Sequence, residues 1–186
     1  MNPTANKSDF EDLTTHLKDL AYSYLEKYSP SKQQLKVYLL KKYLNKIKGT
    51  KSKKEVSSII DEIIKNLEKN RIVSDELYSD SKARMFLRRG YSLNKINQSL
   101  RHKGIDSKYI KQTIDKIKED HIEPDFVSAL KLCKRRRIGP LRPQANRELF
   151  YKKDMGILAR GGFHFDLSKR VLNLDVDEFN KLLKII

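Results

Sequence analysis

Residues 91–117 read "YSLNKINQSLRHKGIDSKYIKQTIDKI", and their spacing decides the fold. Ile96 and Leu100 stand four apart, on one face of a helix. Ser92 sits where an N-cap belongs, because its hydroxyl accepts from the unpaired amides of a first turn. Gly104 suits the left-handed residue just past a helix end, and Ile105 beyond it folds back over the last turn. Asp106 or Ser107 then opens a second helix, with Tyr109, Ile110, Ile114 and Ile117 on its apolar side. The stretch predicts a helical hairpin turned at a glycine.

The same grammar returns at 155–172, "MGILARGGFHFDLSKRVL". Leu158 precedes Gly162 as Leu100 precedes Gly104, and Phe163 takes the place of Ile105. Leu167 and Val171 then stand where Tyr109 and Thr113 stand in the first copy. A fainter version at 29–44 opens on Ser29-Pro30, carries Leu35 and Leu39, and reaches Tyr43 where the others have glycine. Helices near 74–89 and 124–137 precede the second and third hairpins. The N-terminal stretch 9–28 has its own stripe of Phe10, Leu13, Leu17, Leu20, Ala21, Tyr24 and Leu25. After a basic connector, "KGTKSKK" (48–54), comes a helix built on Val56, Ile59, Ile60, Ile63, Ile64 and Leu67. The expected organisation is all-α, a degenerate tandem array of three three-helix repeats. Its divisions are an N-terminal helix (1–28) and repeats at 29–73, 74–120 and 121–186. The last carries a basic insert (134–148) and a C-terminal helix.

Composition agrees with thin helical cores. Hydrophobic residues make up 38% and charged residues 34%, against roughly 45–50% and ~25% in an ordinary globular domain. Cys133 is the single cysteine, so the chain has no disulfide framework and no cysteine metal cluster. The start, "NPTANKSDF", lacks the basic region and apolar run of a secretory signal. No stretch approaches the ~20 apolar residues that span a bilayer. A soluble, cytoplasmic protein without membrane contact is expected. The formal charge of +16 is unevenly placed: residues 1–30 carry a net −2, and residues 131–160 a net +8. Such concentration points to a polyanionic partner.

Signals for catalysis are weak. His16, His102, His121 and His164 show no ligand-pair spacing. Asp75, Glu76 and Asp80 cluster at a helix start, where capping and the helix dipole explain them more simply than a divalent ion does. No phosphate-loop motif occurs, and Gly161-Gly162 reads as a helix terminator. No enzyme, metal or cofactor is expected. The basic groups look more purposeful. Arg88, Arg89 and Lys95 surround one helix junction, and Arg101, His102 and Lys103 follow on the polar side of the hairpin. Arg160, Lys169 and Arg170 repeat the arrangement in the last hairpin. Lys134, Arg135, Arg136 and Arg137 run together before Gly139-Pro140, with Arg142 beyond. At about 100° per residue these four spread around a helix and cannot serve one face. In register, the basic positions would line one side, a track suited to phosphates with little base readout. Tyr91, Phe163 and Phe165 offer rings to unpaired bases, although core packing is the simpler role for Phe163.

Two stretches, 72–106 and 152–172, resemble the RecX family of regulatory proteins. Asp75, Glu76 and Tyr78 look like its D-[DE]-x-[YF] signature. Ile96, Leu100, Lys103, Gly104 and Ile105 look like its I-x-x-x-L-x-x-K-G-I hairpin. Leu158, Arg160, Gly162 and Phe163 look like its C-terminal L-x-R-x-G-F hairpin, and "RRRIGPLRP" is similar to a basic insert of one branch. The resemblance spans roughly 30–172. Departures are Tyr43 in place of glycine, the long "KIKGTKSKK" connector, and Gly161 where a second arginine is common. The resemblance implies an elongated, curved array of three three-helix repeats. It also implies binding to the RecA recombinase filament, in whose groove the protein limits strand exchange and ATP hydrolysis, and contact with single- or double-stranded DNA by a monomer. A stand-alone, sequence-nonspecific DNA- or RNA-binding protein is the competing reading, and an acid-cluster nuclease at Asp75, Glu76 and Asp80 a third.

Overall fold

A computed structural model describes residues 3–46 and 52–185, with side chains described over 11–45 and 52–185. The described residues form ten α-helices and one short 3₁₀ turn, with no strand among them. In chain order the helices are α1 (Pro3–Leu25), α2 (Lys32–Lys46), α3 (Lys53–Lys69), α4 (Asp75–Arg88) and α5 (Leu93–His102). They continue as α6 (Ser107–Asp120), α7 (Pro124–Arg136), α8 (Gln144–Arg160), α9 (Phe165–Leu172) and α10 (Val176–Ile185). The 3₁₀ turn, Gly139–Leu141, separates α7 from α8. The chain divides into two compact units: Met1–Tyr78 with Lys103–Asp106, and Ser79–His102 with Ser107–Ile186.

The first unit is built on α1, α2 and α3. All six predicted apolar residues of α3 are buried. They pack with Leu17 and Ala21 of α1 and with Leu35, Leu39 and Tyr43 of α2. Leu13, Leu20, Tyr24 and Leu25 of the α1 stripe are half-buried against this core; the Phe10 side chain lies outside the described residues. Helix α1 begins at Pro3, earlier than its apolar stripe, and proline is tolerated in a first turn because that amide has no helical partner.

Two expectations about the first hairpin are corrected. Helix α2 opens after Ser31, not at Ser29-Pro30. Gln34 N donates to Ser31 Oγ at 3.2 Å and Ser31 N donates to Gln34 Oε1 at 3.1 Å, a reciprocal cap that Ser29 has no Gln or Glu to complete. Tyr43 occupies the position corresponding to Gly104, yet it is no corner, because α2 runs on to Lys46 and Tyr43 is buried in the core. Of the "KGTKSKK" connector, residues 48–51 lie outside the described residues. Its remainder belongs to α3: Ser52 is the N-cap in a capping box with Glu55, and Lys53 and Lys54 form the first turn.

Both glycine corners have the expected left-handed backbone, with φ of 72° at Gly104 in the first unit and 89° at Gly162 in the second. Ile105 and Phe163 beyond them are buried. Helix α6 buries Ile110, Thr113 and Ile117, whereas Tyr109 and Ile114 are only half-buried. Thr113 replaces them inside because its Oγ1 lies 2.7 Å from Asp80 Oδ1 and 2.9 Å from Ser79 Oγ, tying α6 to α4 through hydrogen bonds.

Helix α7 is buried over most of its circumference. It buries Phe126, Ser128, Ala129, Leu130, Leu132 and Cys133, while Val127 is half-buried. One side receives the α4–α5 turn, where Gly90 comes so close that a Cβ would lie 2.6 Å from Ser128 O and Leu132 N. The other side packs with Ile138, Leu158, Val171, Leu172 and the fully buried Phe179 of α10. Fully burying a side chain of this kind contributes about 1.5–3 kcal/mol. Arg137, with φ 52°, terminates α7, and Ile138 N donates back to Cys133 O at 3.2 Å.

Candidate nucleic-acid interface

The same joint is built twice, and it fixes where the basic side chains stand. In the first unit, Ser31 Oγ donates to Lys103 O at 2.8 Å, on the glycine corner of the second hairpin. Lys32 N, the first helical amide of α2, donates to Asp75 Oδ1 at 2.9 Å. In the second unit, Ser92 N donates to Gly161 O at 3.1 Å, on the corner of the third hairpin. Leu93 N, the first amide of α5, donates to Asp125 Oδ1 at 2.7 Å. Each hairpin therefore enters its helix from a serine seated on the following glycine corner, and a carboxylate from the following helix satisfies the exposed amide. Ser92 also caps α5 as predicted, accepting from Lys95 N at 3.1 Å.

This joint accounts for Asp75 of the acidic cluster. Asp75 is buried and points at the α2 amide, and Asp80 accepts from Thr113 and from Lys116 Nζ at 3.2 Å. The two carboxylates serve different partners. Burial pushes the Asp75 carboxyl above its ordinary value, opposed by the bond from Lys32. Tyr78 is likewise buried, and burial pushes its hydroxyl above its ordinary value. Asp125 was missed from sequence; "EPD" marks a helix start, but nothing local says that its carboxylate reaches α5.

The predicted basic residues fall into distinct settings. Arg88 and Arg89 are exposed at the turn that Gly90 presses on α7. Arg135, also exposed, reaches back to that turn, its guanidinium 5.6 Å from the centre of the Tyr91 ring. The structure thus brings these three arginines together. Lys95 is half-buried beside Gly162, where a glycine Cβ would meet its own Cβ at 2.9 Å, so it shares the third corner with the exposed Arg160. Arg101 is exposed at the end of α5, and Lys103, exposed at the corner, belongs to the first unit. Lys134, Arg136, Arg137 and Lys169 are exposed.

Two of the thirteen are held in ion pairs, Arg142 half-buried and Arg170 at the surface. Arg142 forms a bidentate pair with Asp154, Nε to Oδ2 at 2.6 Å and Nη2 to Oδ1 at 2.7 Å, and its guanidinium lies 4.5 Å from the Phe150 ring centre. Asp154 is 1% exposed and also accepts from Gly139 N at 3.0 Å. One buried carboxylate thereby pins both ends of the turn that follows the basic run. Arg170 pairs with Glu123 at 2.9 Å and stacks on Phe126 at 4.1 Å; the hydrogen bond from Arg170 holds the Glu123 carboxyl below its ordinary value. Among the aromatics, Phe163 is core, Tyr91 is half-buried against Phe86 and Arg135, and Phe165 is exposed. Burial, reinforced by the Asp154 charge, pushes the Cys133 thiol up to about 12. No helix among the described residues is long and apolar enough to cross a membrane.

No family model matches the chain. Regulatory protein RecX of Myxococcus xanthus (strain DK1622) is 30% identical over 161 residues, covering 86% of this chain and 85% of that protein. A crystal structure of regulatory protein RecX matches with a TM-score of 0.63 at 19% identity, over 94% of this chain and 79% of that one. The crystal structure of RecX from Lactobacillus salivarius matches with a TM-score of 0.59 at 18% identity, over 95% and 99% of the two chains. At these identities the solved structures speak for the fold, an all-α helical repeat. The sequence identity, sustained over most of both chains, speaks for descent: this chain belongs to the RecX family of regulatory proteins.

Proposed function

We propose that the chain is a non-enzymatic regulator that binds RecA recombinase filaments on DNA and limits recombination and RecA ATPase activity, in DNA repair and the SOS response. The observation that carries this reading is the 30% identity to Regulatory protein RecX across 86% of the chain. It acts as a cytoplasmic monomer, its N-terminal helix (1–28) followed by repeats at 29–73, 74–120 and 121–186. The exposed cations at Arg88, Arg89, Arg101, Lys103, Lys134, Arg135, Arg136, Arg137, Arg160 and Lys169, with Lys95 among them, supply electrostatic attachment to a polyanionic filament. Contacts of this kind position a protein without reading sequence. Arg142 supports that surface from beneath through Asp154, and Arg170 is paired on the surface with Glu123.

Co-sedimentation tests the reading. The protein should pellet with RecA assembled on single-stranded DNA and stay in the supernatant with RecA alone. Pelleting with the DNA to the same extent whether or not RecA is present would favour the stand-alone nucleic-acid-binding reading, which the net charge of +16 also suits.

A further inference from the structure

An open groove runs between α5 and α6, and beside Arg101 it carries three lysines that the sequence pattern does not single out. Its walls hold Arg101 from α5 and Lys108, Lys111 and Lys118 from α6, with Asp115 the one carboxylate among its lining residues. Ile110 and Ile114 lie along its apolar side. We infer that this groove binds the phosphodiester backbone of a nucleic acid. The assignment rests on the reading of the chain as a protein that attaches to DNA-bearing filaments, and it names a place on the chain where the DNA itself is held.

Helix α6 sorts its four lysines by direction. At about 100° per residue, Lys108, Lys111 and Lys118 fall within roughly 80° of the helix circumference, while Lys116 points elsewhere. Lys116 Nζ lies 3.2 Å from Asp80 Oδ2, on the side that packs on α4. The other three line the groove. Arg101 is also held in place: its Nε donates to Asn97 Oδ1 at 2.9 Å, one turn back on α5, which leaves both Nη groups to donate outward. From Lys108 to Lys118 the helix rises about 15 Å, long enough to lie along more than one phosphate of a strand. Four cations against one carboxylate over that length complement a line of evenly spaced monoanions. The groove offers few groups for reading bases, as expected of a backbone contact.

The test uses the full chain carrying Lys108→Gln, Lys111→Gln and Lys118→Gln together, since glutamine keeps the helix propensity of lysine. A second variant, Lys53→Gln, Lys54→Gln and Lys69→Gln on α3, removes the same net charge from the first unit. Affinity for duplex DNA without RecA is measured across a salt series, after thermal melts confirm folding. The groove variant should bind at least tenfold more weakly than the parent at about 0.1 M salt. Its plot of log affinity against log salt should lose between about 2 and 3 from its slope, at ~0.9 per phosphate contact. The α3 variant should change both quantities far less. Equal losses in the two variants would reduce the groove to bulk charge and overturn the assignment. Parent-like DNA binding together with lost binding to RecA would make the groove a protein contact, and would overturn it as well. Either failure leaves the RecA reading standing, because that reading depends on co-sedimentation with the filament by the parent chain.

Discussion

At Gly162 the backbone has φ 89°, and a Cβ there would overlap Ser92 Oγ and lie 2.9 Å from Lys95 Cβ. At Gly156, inside α8, a Cβ would meet only the end of the Arg160 side chain, at 3.4 Å. The same substitution therefore has opposite signs at the two sites. Gly162→Ala should destabilise by more than about 2 kcal/mol, because a left-handed residue with a Cβ already costs ~1–2 and the overlap with Ser92 adds to it. Gly156→Ala should stabilise by about 0.5–1 kcal/mol. Urea melts of the two variants check both signs. Asp75 gives a pH-dependent counterpart. Burial raises its folded pKa above the ordinary 3.8, so the folded state holds the proton more tightly and loses stability as pH rises past that value. Asp75→Asn keeps an acceptor for the Lys32 amide and removes the buried charge. Its melting temperature should exceed the parent's at neutral pH, and the difference should vanish as the pH falls below 3.8.

Helices and corners were legible wherever the signal is local. The α3 stripe, the Ser92 cap, and the left-handed glycines at 104 and 162 all follow from residues within a dozen positions of one another. The joints were not legible. Asp75 reaches Lys32 across 43 residues and Asp125 reaches Leu93 across 32, and neither carboxylate differs in local sequence from a solvated one. The same limit hid Asp154, whose role exists only because the Gly139–Leu141 turn folds back on α8. Ser29 and Ser31 both look like caps, and only Gln34, three residues after Ser31, separates them. The joints make a definite claim about their serines. Ser31 Oγ both caps α2 and donates to Lys103 O, whereas Ser92 Oγ caps α5 and the joint itself is made by its backbone amide. Ser31→Ala should therefore cost about 2 kcal/mol and Ser92→Ala about 1, read from chemical denaturation of each single variant. Equal costs would mean that the bond to Lys103 adds nothing.

Across the whole molecule the charge is the dominant feature, and half of the +16 lies within residues 131–160. The basic run sits at the end of a deeply packed helix, beside a turn that Asp154 holds by both Gly139 and Arg142. Its four side chains are exposed, and Arg135 reaches Tyr91, so the run is presented outward from a rigid base. Replacing Lys134, Arg135, Arg136 and Arg137 together by Gln should leave the thermal melt within about 1 kcal/mol of the parent, since exposed substitutions cost little. Attachment to DNA-bound filaments should fall at least tenfold, as the run's contribution to phosphate neutralisation is lost. The most direct measurement of the central claim is RecA ATPase activity on single-stranded DNA, with the protein titrated in at substoichiometric ratios. The account predicts a progressive loss of ATP hydrolysis that begins well below one chain per RecA; hydrolysis unchanged at every ratio would contradict it.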